Sequence, residues 1–189
     1  MMKRVLESIR SRYPHISDES LARLENNVER CVFPPRHVMV REGAFAGFAY
    51  FIERGITRSY WLVNGEEITT SFAAEGSIVF SMDELYYGKI SQEYVETIEE
   101  VEAYAISIPV LRNFFETDLG FANWGRIIHQ DEYRRLHQSH KERLSCNAVE
   151  RYECFRRQFP DVCRRVRLGD IASYLGITLS TLSRLRAQK

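Results

Sequence analysis

Thr178, Ser180, Thr181, Ser183, Arg184 and Arg186 crowd into one short segment near the end of the chain. Hydroxyl groups donate to and accept from phosphates and base edges, and a guanidinium can bond guanine in a bidentate fashion. Carried on one helix, such side chains can enter the major groove of a double-stranded DNA. Arg164, Arg165 and Arg167 lie just upstream and add cations suited to phosphate contacts. Leu179, at the start of this segment, is apolar and offers no hydrogen bond.

These side chains act together only if the backbone presents them on one face. The run Leu168–Arg186 has the makings of two helices crossing at a tight turn. Ala172 is small enough for the crossing point, and Gly176 follows the first helix where a positive φ is needed. Thr178 can cap the second helix. Ile171, Leu175, Ile177, Leu182 and Leu185 are spaced to lock the pair, so a helix-turn-helix is expected over these residues.

Charge is partitioned in the same sense. The 189 residues carry no net charge, yet Arg134–Lys189 holds 13 Lys and Arg against 5 Asp and Glu, a net +8, and the preceding residues carry −8. An acidic body with a basic tail suits a tail that meets a polyanion. Apolar residues make up 44% and charged residues 28%, as in a soluble protein with a proper core. No run is long and apolar enough for a membrane span, and Met1–Pro14 lacks the apolar stretch of a signal peptide, so a cytoplasmic protein is expected.

Upstream of the tail the hydrophobic period changes twice. Met1–Cys31 reads as helical, with Ser17 a natural helix start before Asp18 and Glu19. Between Val32 and Ile108 come short β-branched and aromatic runs separated by Pro34-Pro35, Glu42-Gly43, Arg54-Gly55, Asn64-Gly65 and Glu75-Gly76. Asn64-Gly65 is a strong signal for a hairpin with a type I′ turn. Many short strands of this kind predict an antiparallel sandwich or barrel of jelly-roll type. After Pro109 the helical period returns, and Phe121, Trp124 and Ile128 form an apolar stripe that packs either on the chain's own β-region or on a second copy. A further helix from Ser145 carries Val149, Tyr152 and Phe155 on one face and stops at Phe159-Pro160. The expected class is α+β: a jelly-roll unit with N-terminal helices over 1–118, a long helix over 119–144, and a helix-turn-helix unit over 145–189.

Other chemistries are poorly served. Cys31, Cys146, Cys154 and Cys163 are too sparse for a disulfide framework and lack zinc-site spacing. His137 and His140 sit three apart on a helix, a pair that two exposed histidines form without any metal. Only His37 lies among the strands, so a cupin-like metal catalyst lacks its ligands, and no Ser-His-Asp or Cys-His set can be assigned. No enzyme, cofactor or metal site is expected. The competing reading is a ligand-sensing jelly-roll module that binds no DNA specifically.

Several segments resemble the cyclic-AMP-receptor/fumarate-nitrate-regulator (Crp/Fnr) superfamily over nearly the whole chain: Arg41-Glu42-Gly43, Tyr50–Gly55, the Asn64-Gly65 hairpin, and above all Ile171–Thr178 with Leu182-Ser183-Arg184. The resemblance implies an effector-binding jelly roll, a dimerisation helix and a C-terminal DNA-binding domain, many members being homodimers on palindromic sites. Phe121, Trp124 and Ile128 are then the expected dimer contacts, and Thr178, Ser180, Thr181, Ser183, Arg184, Arg186 and Arg167 the expected DNA contacts.

The chain also departs from that pattern. Members that bind cyclic nucleotide use a Gly-Glu pair for the ribose and an Arg for the cyclic phosphate. The equivalent stretch, Phe80–Tyr94, has Ser91 or Gln92 where Arg is expected, no Gly-Glu pair, and only Lys89 as a cation. Glu93, Glu96, Glu99 and Glu100 disfavour an anion there. Cyclic AMP is therefore not expected to bind, and Phe80, Ser81, Met82, Glu84, Ser91, Gln92 and Tyr94 are the lining expected around some other small-molecule effector. The family's iron–sulfur sensors group cysteines near the N-terminus, where this chain has only Cys31. The sequence ends at Lys189, just past the second helix, and a reduced grip on DNA or a naturally short member is expected from that.

Overall fold

The structure is a computed structural model and describes residues 2–187; Lys189, the last cation of the basic tail, lies outside them. Two N-terminal helices, α1 (Lys3–Arg12) and α2 (Asp18–Glu25), precede eight strands. Ser17 caps α2 as its sequence predicts, its side chain accepting from Ser20 N. The helical region ends sooner than the sequence suggests: β1 (Glu29–Phe33) already contains Cys31, because it pairs with β8 (Val101–Ser107). Register with a partner strand, invisible in a local period, overrides the helical pattern here.

The strands form two four-stranded antiparallel sheets. The first has the order β1-β8-β3-β6, with β3 at Phe48–Arg54 and β6 at Ile78–Val79. The second has the order β2-β7-β4-β5, with β2 at Val38–Val40, β7 at Tyr94–Thr97, β4 at Thr57–Val63 and β5 at Glu66–Ala73. Strands β4 and β5 meet at Asn64-Gly65, with φ of 54° and 82°, the two positive values that a type I′ turn requires.

Alternation along the strands divides three cores. Met39, Val40, Tyr50, Ile52, Val79, Val95 and Ala103 fill the space between the sheets. The opposite face of the first sheet, through Ala49, Phe51, Tyr104 and Ile106, is covered by α1, α2, α4 (Ile108–Thr117) and the start of α5 (Leu119–Ser145). The outer face of the second sheet, through Phe72 and the neighbouring Ile56, is covered by C-terminal helices α6 (Ala148–Gln158) and α8 (Leu168–Leu175). Short helices α3 (Met82–Tyr87) and α7 (Val162–Arg165) and helix α9 (Leu179–Ala187) complete the elements among the described residues.

The helical region after Pro109 divides at two capped helix starts. Asp118 leaves helical geometry and caps α5 through its carboxylate, which accepts from Phe121 N. Asn147 begins α6 with a reciprocal capping box to Glu150. The apolar stripe of α5 packs inward: Phe121 and Trp124 are only 0% and 3% exposed, and Ile128 packs against the same cluster. These residues, expected at a contact between two copies, are thus used within the chain. Beyond Leu119 at its first position, the apolar residues that α5 leaves in solvent lie on another face, Tyr133, Leu136 and Leu144, at 72%, 50% and 77% exposure.

Candidate nucleic-acid interface and effector region

Helix α8 ends at Gly176, in the left-handed conformation with φ 64°. Its N–H returns to the carbonyls of Ala172 and Ser173, and Ile177 N–H returns to Ala172 O at 3.0 Å. These bonds close the helix and aim the chain at once into α9. Thr178 Oγ1 accepts from Thr181 N at 3.2 Å and lies 3.0 Å from Ser180 Oγ, so a hydroxyl cap opens α9 as the sequence predicts. Leu182 is fully buried among Ile171, Ala172 and Leu175, with Ile177 and Leu185 packed around them.

With that seam turned inward, α9 turns its polar side outward. Thr178, Ser180, Ser183, Arg184 and Arg186 are exposed, Thr181 is half-buried, and Arg167 is exposed at the N-cap of α8. Arg184 reaches only Thr181 Oγ1, at 3.4 Å, and neither Arg184 nor Arg186 enters an ion pair among the described residues. The surface is one of unspent donors. Arg164 and Arg165 differ: Arg164 pairs with Asp161, and Arg165 turns away to Glu75, at 2.7 Å, and Glu99. Arg165 is therefore spent within the chain and does not join the phosphate contacts suggested by its position in the sequence. The Glu75 carboxyl is raised by burial but lowered more by bonds from Arg165 and Gly55 N, and settles at about 2.

The effector region behaves in the opposite way. Glu84 is buried, and its carboxylate accepts from Ala46 N at 2.7 Å and Gly47 N at 3.0 Å. Ser81 is buried and caps α3 through Glu84 N. Ser91 Oγ accepts from Glu93 N and donates to Glu93 O, while Gln92 N donates to the Asp83 carboxylate. Ser91 N donates to Ala44 O. Backbone amides that could cradle a phosphate are here bonded to the chain's own oxygens. Burial, with Asp83 adding its charge, pushes the Glu93 carboxyl up to about 7.

The expected pocket residues do not converge. Met82 and Gln92 are exposed, and Phe80 packs against the helical core, edge-on to Tyr86. Tyr94 lies on the face of β7 opposite Val95, stacked on Tyr60 with centroids 5.0 Å apart, outside the space between the sheets. A groove of about 410 Å³ lies instead between α3 and α5, lined by Met82, Tyr86, Phe115, Ala122, Gly125 and His129. At its wall His129 Nδ1 lies 2.6 Å from Gly125 O, and Nε2 lies 3.0 Å from the Tyr86 hydroxyl. A carbonyl only accepts, so Nδ1 carries a proton and donates to it. Burial pushes the Tyr86 phenol up to about 12. Among the described residues no group of three His, Cys, Asp or Glu is placed to hold a metal.

Residue-by-residue reading of the sequence misses the junction between the second sheet and α8. Arg58, 2% exposed, reaches Glu67, Glu96 and Asp170, and Ser173 bonds the edge of β5. A lone Arg in an otherwise apolar and hydroxylic strand is the signal that could have marked it.

No family model matches the chain, and no curated protein matches it. Solved structures do. FixK2 from Bradyrhizobium japonicum aligns with a TM-score of 0.72 at 22% identity, covering 85% of this chain and 83% of that one. CLP of Xanthomonas campestris, a c-di-GMP-responsive global regulator, aligns at 0.68 with 18% identity over 91% of each chain. A structure from Eubacterium rectale, described as a Crp/Fnr-family transcriptional regulator, aligns at 0.71 with 11% identity over 93% of this chain and 84% of that one. The resemblance read from the sequence holds at the level of the fold: this chain has the fold of Crp/Fnr-type regulators, with its antiparallel sheets and helices in the same arrangement.

Proposed function

We propose that the chain is a sequence-specific, DNA-binding transcription regulator of the Crp/Fnr type, with a degenerate cyclic-nucleotide pocket and no enzymatic activity. The observation that carries this reading is the outward face of α9, where Ser180, Ser183, Arg184 and Arg186 stand exposed while their helix is held by a buried seam. In this reading α8 and α9 are the helix-turn-helix. Residues 1–118 form a jelly roll with its helices, 119–144 the long helix, and 145–189 the DNA-binding unit. The interleaved strand orders β1-β8-β3-β6 and β2-β7-β4-β5 support the jelly roll.

Thr178, Ser180 and Thr181 enter the major groove first, Arg184 reads a guanine, and Arg167 and Arg186 hold phosphates. A second copy packs along α5, using the exposed stripe Tyr133, Leu136 and Leu144 in place of the inward-facing residues. Such a dimer presents two α9 helices to a palindrome. The protein acts in the cytoplasm, and no helix among the described residues is long and apolar enough to cross a membrane.

The effector region favours no cyclic nucleotide. Glu84 and Asp83 take the amides that an anion would need, and Glu93 adds a carboxyl instead of an arginine. Fluorescence anisotropy with a labelled duplex at rising salt tests the DNA reading. The logarithm of the affinity is expected to fall linearly with the logarithm of the salt concentration, since phosphate neutralisation releases counterions. Salt-independent or absent binding contradicts it. Calorimetry with cyclic AMP is expected to give no binding heat at micromolar concentrations.

A further inference from the structure

The unit carrying α9 is fastened to the outer face of the second sheet as well as following α5 in the chain. Arg58 lies at the centre of that junction. On β4 it faces Glu96 across β7 and stacks its guanidinium 4.4 Å over the Tyr60 ring. Its Nη2 serves both carboxylates of its own sheet, Glu67 and Glu96. Its Nη1 reaches Asp170 of α8 at 3.0 Å and, among the described residues, no carboxylate of the sheet. The sheet thus supplies two of the guanidinium's three carboxylate partners and α8 the third.

One turn beyond Asp170, Ser173 makes the second contact. Its hydroxyl accepts from Thr69 N and donates to Glu67 O, both at 2.9 Å. β5 is the last strand of its sheet, so Ser173 takes the place that a neighbouring strand would occupy at that edge. Glu67 therefore serves both contacts, its carboxylate on Arg58 and its carbonyl on Ser173. The β4–β5 register shifts at this point, leaving Thr70 as the extra residue between Thr69 and Ser71. Arg165 on Glu75 and Glu99 is a third attachment, and Phe72 packs against Tyr174 with centroids 5.6 Å apart. Attachment at separate points fixes rotation as well as distance.

We propose that Arg58, acting through Asp170, is a positioning residue for DNA binding: it sets the attitude of α8, and hence of α9, from the β4–β5 hairpin. The transmission needs no new contact, because α8 and α9 share the buried seam around Leu175 and Leu182. A disturbance of the hairpin shifts Arg58, Glu67 and Thr69 together and reaches α9 without passing along α5. This inference rests on the DNA-binding reading for its functional half alone.

The test uses the full chain and the variants Arg58→Met, Asp170→Asn, their combination, and Ser173→Ala. Amide exchange is followed by mass spectrometry, and affinity is measured on a duplex that the wild type selects. Each single variant is expected to speed exchange of residues 66–73 and 168–175 about tenfold or more while residues 48–54 keep their rate. Affinity is expected to fall about tenfold, and the double variant to be no worse than the weaker single one, as one shared contact requires. The fall in Asp170→Asn comes despite loss of a negative charge near DNA, which by charge alone strengthens binding. Unchanged or increased affinity in folded variants, or additive losses in the double, overturns the proposal. If Arg58→Met does not fold, Asp170→Asn decides, because it leaves Arg58 in place and changes only the α8 side of the contact: wild-type exchange at residues 168–175 and wild-type affinity overturn the proposal. If the wild type selects no duplex, the DNA-binding reading fails, while the exchange measurement still decides whether Arg58 and Asp170 hold the two units together.

Discussion

The α3–β7 segment and the α8–α9 segment are both rich in hydroxyls, amides and charges, yet they differ in what remains available. Around α3, Glu84, Asp83 and Ser91 bond the neighbouring amides, and Arg112 spends its donors on the carbonyls of Glu84 and Leu85. On α9, Ser183, Arg184 and Arg186 face solvent, and the one capping hydroxyl, Thr178, satisfies the helix end. A binding surface is defined by donors that folding leaves unspent, and composition alone does not reveal which donors those are. By that measure the α8–α9 segment keeps donors available, whereas the α3–β7 segment uses its own to hold itself together.

The largest way to break this contrast is to destroy the seam beneath α9. Leu182→Ala removes a fully buried side chain, and a loss of about 2–5 kcal/mol is expected in denaturant unfolding of the C-terminal unit, with DNA binding lost as well. Arg184→Ala leaves the seam intact and is expected to weaken binding to the selected duplex by about 1–3 kcal/mol, read by anisotropy. On the other side, Glu84→Ala strands the Ala46 and Gly47 amides, and a destabilisation of about 1–3 kcal/mol is expected with no effect on DNA affinity beyond that. Ser91→Arg sharpens the same point. Restoring the family's cation is expected to give no cyclic AMP binding by calorimetry, because Asp83 and Glu84 still occupy the amides.

The smallest expected effect is a pH dependence. The Glu93 carboxyl is raised from its ordinary value near 4.5 to about 7 by burial, so the folded chain holds this proton more tightly than the unfolded chain. Its contribution is most favourable below 4.5, falls as pH rises from there to about 7, and is fully unfavourable above. Glu93→Gln is therefore expected to raise the melting temperature at pH 8 relative to wild type and to bring no gain at pH 4. A gain equal at both pH values contradicts the assignment.

Much of this was legible in the sequence, and the remainder had physical reasons to be hidden. Local signals are legible: Ser17 is a cap, Asn64-Gly65 a tight hairpin, Gly176 the left-handed end of α8 and Thr178 the cap of α9. Each of these is decided within a few residues of chain. The destinations of side chains across the fold were not legible. Phe121 and Trp124 form an apolar stripe that covers the first sheet, and periodicity says only that a stripe is covered, not by what. Tyr94 alternates to the outer face of β7 because the register with Tyr60 puts it there, and Arg165 leaves the basic cluster for Glu75 ninety positions away. The Arg58 junction joins β4 to α8 across 112 positions, a pairing no local pattern encodes.

The most direct measurement is selection from a random duplex library by the wild type and by Arg184→Ala, with sequencing of the retained DNA. The account predicts that the wild type enriches a palindrome and that Arg184→Ala weakens that enrichment at one base pair of each half-site. No enriched sequence, or one that Arg184→Ala leaves untouched, contradicts the claim that α9 reads DNA.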